Sequence, residues 1–332
     1  MKSHDEKYDG ASGGAGFLPR RLRGILLPFP TPFDGDGGLD AAALRSNLGK
    51  WNRTGINGYV ALGSTGERVN LDEREYLEVI ETARAAVPRE LAFIAGAGQQ
   101  GTHATINEVR RAAGAGADAV LVITPHFYRA AMTQDALVRH YLSVADAATI
   151  PLLLYSMPDL TGIALAPETV ARLAEHENII GIKDSSGDLI NLTETLRLVP
   201  REFAVLTGHG GLLYAALSAG ACGAILAVGC VAPRLAAAIF GAVAEENHER
   251  ARVLQQRLTP LALAVTKRYG IGGLKAALEI VGYSGGAVRT PLREAGEEAR
   301  EHLARLIEES ARVDQAEAGG EHSHLAGAAT SE

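Results

Sequence analysis

A lysine closes a short apolar run near the middle of the chain. Residues Ile179–Lys183 (IIGIK) predict a buried strand, and the polar sequence Asp184–Asp188 (DSSGD) follows at once. An ammonium group is costly to bury unless it is paired, and burial favours the neutral amine. A neutral amine attacks a ketone to form a Schiff base, so Lys183 is a candidate for covalent catalysis on a 2-oxo substrate.

A tyrosine occupies the matching place one strand earlier. The apolar run Pro151–Leu154 ends in Tyr155, which lies 28 residues before Lys183. This spacing is about one strand–helix unit of an α/β barrel of roughly 250 residues. It would place a phenol beside an amine on adjacent parallel strands. The alternative interpretation is a strand-end lysine whose ammonium reaches solvent beside a core tyrosine.

A hydroxyl-rich turn follows the second predicted strand. In Leu62–Glu67 (LGSTGE), two glycines flank Ser64 and Thr65. Glycines allow a tight turn whose backbone N–H and side-chain O–H groups point inward, which suits a carboxylate or a phosphate. A turn of this composition often has only a structural role and binds no ligand. At the C-terminal face of a barrel, where active sites lie, it becomes a candidate anion site.

Weaker candidates lie at other predicted strand ends. Phe127 and Tyr128 follow the fourth strand. Aromatic packing at the barrel mouth is the simpler interpretation for Phe127, whereas the Tyr128 hydroxyl needs a partner or water. Gly208 follows the seventh strand and Ile225 lies in the eighth, and both are further candidate site positions.

These side chains require a regular alternation of strands and helices to position them. Strands are predicted at Gly24–Phe29, Gly58–Leu62, Leu91–Ala95, Ala119–Thr124, Pro151–Tyr155, Ile179–Lys183, Phe203–Leu206 and Ala224–Val228. Helical patterns follow at Ala41–Trp51, Glu73–Ala86, Ala104–Ala113, Asp135–Ala147, Pro167–His176, Leu189–Leu198, Leu212–Ala219 and Pro233–Ala244. Eight strands, each followed by a helix, predict an α/β fold, the TIM (β/α)8 barrel with right-handed crossovers.

The predicted barrel is flanked by other segments. Residues 1–18 are rich in glycine and charge and predict a disordered leader, and residues 314–332 predict a disordered tail. The barrel is expected over 19–247 and a helical extension over 248–313. Apolar stripes in that extension need a surface to cover, either the barrel's own helices or another subunit.

Composition excludes several classes of protein. A net charge of −7 without a Lys/Arg cluster argues against a nucleic-acid partner. The longest apolar runs are too short to span a membrane, and the first residues lack the apolar core of a signal peptide, so we expect a cytoplasmic protein. The ten histidines are scattered without carboxylates at ligand spacing, so no metal is expected. No dinucleotide or P-loop fingerprint follows a strand.

Four motifs together resemble a known family. Leu62–Glu67 (LGSTGE), Thr124–Tyr128 (TPHFY), Leu154–Pro158 (LYSMP) and Gly181–Asp188 (GIKDSSGD) occur in the order found in the dihydrodipicolinate synthase/N-acetylneuraminate lyase family of pyruvate-dependent class I aldolases. The resemblance runs from about Arg23 to Glu309. It implies a TIM barrel, a small-molecule 2-oxo acid substrate and a homotetramer built as a dimer of dimers.

The resemblance also implies roles for individual residues. Lys183 would form the Schiff base with pyruvate, so that no separate cofactor is needed. Tyr155 would transfer protons, and Ser64 and Thr65 would hold the pyruvyl carboxylate. Ser185 would contact the 4-hydroxyl group or the distal carboxylate of the substrate.

Departures from the family pattern bear on the substrate. Dihydrodipicolinate synthases, which this chain resembles, have an arginine that binds the distal carboxylate of the aldehyde substrate. This chain has Leu160 at that position. A leucine cannot bind a carboxylate. Phe127 replaces a second tyrosine that the synthases supply across a subunit interface, and Gly210 and Gly211 replace the Asp-Glu pair of sialate lyases.

The sequence is most similar to 4-hydroxy-2-oxoglutarate aldolases, with shared runs at Val265–Ile271 and Gly282–Gly286. We therefore expect cleavage of a 2-oxo-4-hydroxy acid, with 4-hydroxy-2-oxoglutarate as the preferred substrate, to pyruvate and glyoxylate. Alternatives within the family are dihydrodipicolinate (4-hydroxy-tetrahydrodipicolinate) synthase, a 2-keto-3-deoxy sugar acid aldolase and a hydratase-aldolase. Alternatives from other classes are a ligand-binding regulator on an inactive barrel and a metal-dependent lyase.

Overall fold

Eight parallel strands close into a barrel in the computed structural model, which describes residues 18–311. The strands are β1 (Gly24–Pro28), β2 (Gly58–Ala61), β3 (Ala92–Ala97), β4 (Ala119–Ile123), β5 (Leu152–Ser156), β6 (Ile179–Asp184), β7 (Ala204–Thr207) and β8 (Gly223–Ile225). Each pairs with its sequence neighbours, and β8 pairs with β1 to close the ring. The predicted TIM barrel is confirmed.

Helices cover the outside of the barrel. They are α1 (Leu18–Arg21), α2 (Ala41–Trp51), α3 (Glu73–Ala86), α4 (Thr102–Gly114), α5 (Gln134–Ala147), α6 (Pro158–Thr161), α7 (Pro167–Leu173), α8 (Leu189–Leu198), α9 (Leu213–Ser218), α10 (Pro233–Ala244), α11 (His248–Leu263), α12 (Gly270–Ile280) and α13 (Glu297–Ala311). Local signals set several starts. Asp72 and Glu75 form a capping box before α3, and Pro167 and Pro233 occupy the first turns of α7 and α10.

Two apolar cores lie on either side of the sheet, because successive strand side chains point to opposite faces. In β1, Ile25 and Leu27 join the core between sheet and helices, whereas Leu26 points into the barrel. The barrel interior contains Leu22, Leu26, Val60, Ala92, Ile94, Ala119, Leu121, Leu153, Tyr155, Ala204, Leu206 and Ile225. A packed interior leaves the carboxyl ends of the strands as the surface that can hold a ligand.

The helices after the barrel pack on it. The apolar stripe of α11 (Leu254, Leu258 and Leu261) is buried, and this helix lies against α10 and α13. The helical extension expected over 248–313 is interrupted after α11, because Ala264–Arg268 form a π-helical segment before α12 begins at Gly270. No helix within residues 18–311 has the length and apolar character needed to cross a membrane.

The end of the last strand also differs from expectation. β8 ends at Ile225, because the chain then turns through a short 3-10 segment, Ala227–Cys230, in which Gly229 packs closely against the Leu27 side chain. The expected disordered leader and tail fall almost wholly outside the described residues; only Leu18, which begins α1, lies inside them.

Candidate active site

Lys183 and Tyr155 are neighbours across the β5–β6 pair. Their Cα atoms are direct partners in the register of the two strands. The Lys183 Nζ atom lies 4.4 Å from the centroid of the Tyr155 ring. Both residues are buried near the carboxyl ends of their strands, with 5% and 4% of their surface exposed. The spacing of 28 residues thus places an amine beside a phenol, as the sequence predicted.

Ser64 extends this pair toward the turn after β2. Its Oγ atom lies 3.4 Å from the Tyr155 hydroxyl oxygen, and either atom can donate the hydrogen bond. Ser64–Gly66 form a single 3-10 turn, in which Thr65 is buried. The hydroxyl turn and the lysine–tyrosine pair therefore belong to one cluster at the carboxyl end of the barrel.

Backbone geometry gives the turn its shape. Leu62 and Glu67, at its two ends, both have φ near 56°, in the left-handed region that side chains seldom adopt. The Thr31 hydroxyl donates a 2.7 Å hydrogen bond to the Gly66 carbonyl. A strained conformation of this kind persists only where surrounding contacts hold it.

Further contacts that hold the turn come from the segment after the barrel. The fully buried carboxylate of Glu67 lies 2.6 Å from the Nζ atom of Lys275 on α12, and it also accepts a hydrogen bond from the Arg289 backbone. Burial lowers the pKa of the Lys275 ammonium, an effect that Glu67 opposes. The Arg289 side chain in turn donates to Glu75 at the start of α3 and holds the pKa of that carboxyl down at about 2.

The two buried lysines differ in their partners. Lys275 faces a carboxylate, whereas Lys183 makes no ion pair among the residues that the structure describes. Even the adjacent Asp184 carboxylate is engaged elsewhere, because it accepts hydrogen bonds from the Ser186 backbone and the Asn191 side chain. An unpaired buried amine is the arrangement that Schiff-base chemistry requires.

Gly208 leaves the space that this amine needs. A Cβ atom placed on Gly208 would lie 1.9 Å from Ser185 Oγ and 2.8 Å from Lys183 Cε, closer than real Cβ atoms come. Ser185 is itself buried, directly after β6. Gly208 and Ser185 therefore adjoin Lys183, and any side chain at 208 would displace one of them.

Other sequence-based candidates lie outside the cluster. Tyr128 and Phe127 are 70% and 74% exposed and pack edge-to-face on each other, so Tyr128 does not reach Lys183 within this chain. Ile225 is fully buried in the apolar interior of the barrel, at the end of β8. Leu160 is 58% exposed on α6.

The network behind the hydroxyl turn was not foreseen from the sequence. Glu67 and Lys275 are far apart along the chain, and a buried ion pair between distant elements leaves no local motif. Within residues 18–311, no group of three His, Cys, Asp or Glu residues is arranged to hold a metal ion.

Comparison with known proteins agrees with this geometry. A family model described as the dihydrodipicolinate synthetase family matches residues 21–310. The chain belongs to this family. Membership makes it an enzyme, a carbon–carbon lyase of the class I aldolase type.

Named relatives cover most of the chain. The 4-hydroxy-tetrahydrodipicolinate synthase of Methanothrix thermoacetophila is 37% identical over 278 residues, which are 83% of this chain and 93% of the relative. That of Haloarcula marismortui is 35% identical over 283 residues, 85% of this chain and 92% of the relative. The crystal structure of dihydrodipicolinate synthase from Thermotoga maritima superposes with a TM-score of 0.83 at 30% identity, covering 87% of this chain and 98% of that one.

The family expected from the motifs is therefore confirmed. The narrower expectation, a closest relationship to 4-hydroxy-2-oxoglutarate aldolases, gains no support from these relatives. Their names agree instead with the synthase that the sequence analysis held as an alternative.

Proposed function

We propose that the enzyme binds pyruvate as a Schiff base on Lys183 and joins it to, or releases it from, an aldehyde that carries its own carboxylate. One observation carries the proposal: the unpaired Lys183 amine lies buried over the Tyr155 ring, whose hydroxyl is within reach of Ser64. The covalent lysine takes the place of a separate cofactor.

The chemistry follows from the iminium group. The Lys183 amine attacks C2 of pyruvate, and loss of water leaves a C=N⁺ bond conjugated to the carboxylate. This bond accepts the electron pair released when a proton leaves C3, and the resulting enamine attacks the aldehyde carbon. Cleavage runs the same steps in reverse, with the C3–C4 electrons passing into the iminium.

Tyr155 is proposed to move the protons of these steps, because its phenol adjoins both the amine and Ser64. Ser64 and Thr65 would hold the pyruvyl carboxylate with their hydroxyls and the N–H groups of the turn. Ser185 and the space at Gly208 adjoin the amine on its other side, where the new carbon–carbon bond forms.

We infer that the aldehyde is aspartate semialdehyde, which makes the reaction that of a 4-hydroxy-tetrahydrodipicolinate synthase. The names of the relatives at 35–37% identity support this choice. Cleavage of 4-hydroxy-2-oxoglutarate to pyruvate and glyoxylate is the second candidate. Leu160 favours it only as a departure from the synthase pattern, which has an arginine at this position of α6.

A covalent trap tests the proposal. Pyruvate and borohydride are added to the intact protein, and the adduct is located by peptide mass mapping. The expected result is one reduced adduct on Lys183. An unmodified protein, or an adduct on Lys275 alone, would contradict the mechanism for both candidate substrates.

We further propose a homotetramer formed from two dimers. Val69, Phe127 and Tyr128 follow β2 and β4 and are between 70% and 83% exposed, a cost that contact with a second subunit would remove. Sedimentation analysis of the wild type and of Phe127→Asp tests the proposal. A wild-type monomer at micromolar concentration would contradict it.

A further inference from the structure

An exposed lysine approaches α6 from the segment after the barrel. Lys267 lies in the π-helical segment Ala264–Arg268, a rare conformation that is frequent at functional sites. Its Nζ atom is 3.8 Å from the Asp159 carboxylate, and the two side chains are 58% and 54% exposed. At 3.8 Å the pair makes no hydrogen bond, so the ammonium keeps its donors for another acceptor.

The position of Asp159 relates this ion pair to the segment where the family pattern has its carboxylate-binding residue. Asp159 immediately precedes Leu160 on α6, the place where the family pattern would put a carboxylate-binding arginine. Lys267 therefore places a positive charge next to α6, where the sequence has Leu160 in place of the arginine. A solvent-exposed ion pair contributes little to stability, so a substrate carboxylate can displace or join Asp159 at small cost.

His209 connects this charge to the covalent site. It directly follows Gly208, which adjoins Lys183 and Ser185. The His209 ring packs against Gly187, in the turn that follows Ser185. Burial and the ammonium of Lys267 both lower the pKa of His209, while Asp159 opposes them, so the three groups lie within electrostatic reach.

We propose that Lys267 binds the distal carboxylate of the substrate, in place of the arginine that Leu160 replaces. The inference rests on the proposed function, because it assumes that a 2-oxo acid is held on Lys183. It applies to both candidate reactions, since aspartate semialdehyde and glyoxylate each carry a carboxylate. Lys267 is thus a specificity-determining residue that touches the substrate away from the reacting atoms.

Arg129 is the rival for this role. Its guanidinium packs over Gly162, with Cζ and Nε each 2.8 Å from the place of a Cβ atom there. Gly162 ends α6, so Arg129 meets this segment beyond Leu160, whereas Lys267 meets it before Leu160, at Asp159. His209 itself directly follows Gly208, which adjoins Lys183.

Two five-carbon 2-oxo acids separate the role of Lys267 from turnover. 2-Oxoglutarate and 2-oxopentanoate present the same group to Lys183 and differ in the distal carboxylate. The measurement is the concentration of each acid that gives half-maximal borohydride trapping, with pyruvate as the reference. In the wild type, 2-oxoglutarate should trap at the lower concentration of the two.

Lys267→Met should remove that preference by raising the 2-oxoglutarate value about tenfold, as expected for losing a charge-assisted bond. The values for 2-oxopentanoate and pyruvate should not change. Arg268→Met removes the same charge one residue later, where the guanidinium lies over the Tyr269 ring, and should keep the wild-type preference.

Three outcomes would overturn the proposal: no wild-type preference for 2-oxoglutarate, an unchanged preference in Lys267→Met, or a selective loss in Arg129→Met instead. Failure of the proposed function gives a different result. In that case pyruvate itself forms no adduct on Lys183 in the wild type.

Discussion

The Lys183 amine lies over the face of Tyr155 rather than beside a carboxylate, with 4.4 Å between Nζ and the ring centroid. A ring face attracts a cation only weakly compared with a buried carboxylate. The Lys275 Nζ atom also lies over a ring, that of Phe33, but it is paired with the Glu67 carboxylate as well. The contrast leads to the first prediction.

Replacing Lys183 should abolish turnover, while the fold persists. We expect Lys183→Ala and Lys183→Arg to be equally inactive, because a guanidinium stays protonated and cannot attack a ketone. Pyruvate release or condensation and borohydride trapping measure the effect, with circular dichroism as the check on folding. Turnover in either variant near the wild-type rate would exclude Lys183 as the nucleophile.

Tyr155→Phe should separate covalent binding from proton transfer. General acid–base groups contribute about 10²–10⁴-fold, so kcat should fall within that range. Trapping with pyruvate should continue, at least slowly, because the amine remains. Ser64→Ala is the companion variant, since it removes the hydroxyl that lies 3.4 Å from the phenol. A Phe variant with near-native kcat would reduce Tyr155 to a packing role.

Gly208→Ala should inactivate the enzyme by crowding. The added methyl would overlap Ser185 and Lys183, and a displacement of about 1 Å in a catalytic group can cost about 10²-fold in rate. Gly241→Ala is the matched control. Gly241 lies in α10 with no atom within 4 Å of its added Cβ, so activity should be unchanged. Full activity in Gly208→Ala would show that the space is not needed.

Glu67→Gln should cost about 3–5 kcal/mol in the free energy of unfolding, because it leaves the Lys275 charge buried without its partner. The turn that carries Ser64 should loosen, and KM for pyruvate should rise. Glu279→Gln is the control, since its pair with Arg300 is solvent-exposed and contributes about 0–1 kcal/mol. Urea unfolding of both variants checks the difference. Equal stabilities would contradict it.

Stability should fall on acidification through His140. Burial lowers the pKa of this imidazole to about 4, and its buried Nε2 atom has no partner. A histidine with a folded pKa below its unfolded value of about 6.5 stabilises the fold above pH 6.5, and that contribution is lost between about pH 6.5 and 4. The loss amounts to about 3 kcal/mol.

His140→Gln should therefore flatten the dependence of unfolding free energy on pH between those limits. His103→Gln, on the exposed face of α4, should keep the wild-type slope. Denaturant titrations at a series of pH values measure both. If His140→Gln keeps the full slope, other groups carry the acid sensitivity.

The choice between the two candidate reactions rests on Leu160. If the family relatives are the better guide, kcat/KM for condensing pyruvate with aspartate semialdehyde should exceed that for cleaving 4-hydroxy-2-oxoglutarate. Measuring both kcat/KM values side by side decides between the two reactions. The Leu160→Arg variant shows how far the residue at position 160 determines the choice. A higher value for cleavage would restore the interpretation drawn from the sequence.

The sequence predicted most of the barrel because the strands are apolar runs and several helices begin at a side-chain cap or a proline, as α2, α3 and α10 do. The helices Ala41–Trp51, Glu73–Ala86 and Leu189–Leu198 have the predicted bounds. The short helix α6 was not predicted, because four residues carry no measurable period. The π-helical segment after Leu263 was missed for a related reason, since its residues also suit an α-helix.

Part of the candidate site could likewise be predicted from the sequence, and part could not. Lys183 and Tyr155 could be brought together from strand spacing, because parallel strands repeat at a regular interval. Ser64 was predicted at the same end of the barrel from its position after the second strand and from the family resemblance. The Glu67–Lys275 pair and the approach of Lys267 to Asp159 could not, since both join the barrel to helices that follow it. Contacts at such distances depend on tertiary packing.

The Glu67–Lys275 pair also sets an order of events during synthesis on the ribosome. All eight strands have been made by residue 225, yet the turn that would hold pyruvate is then still without Lys275 and Arg289. A nascent chain at that stage carries the Glu67 carboxylate without its counter-charge. Substrate binding should therefore switch on only after α12 has emerged, and a product truncated after α10 would be a barrel unable to hold its substrate.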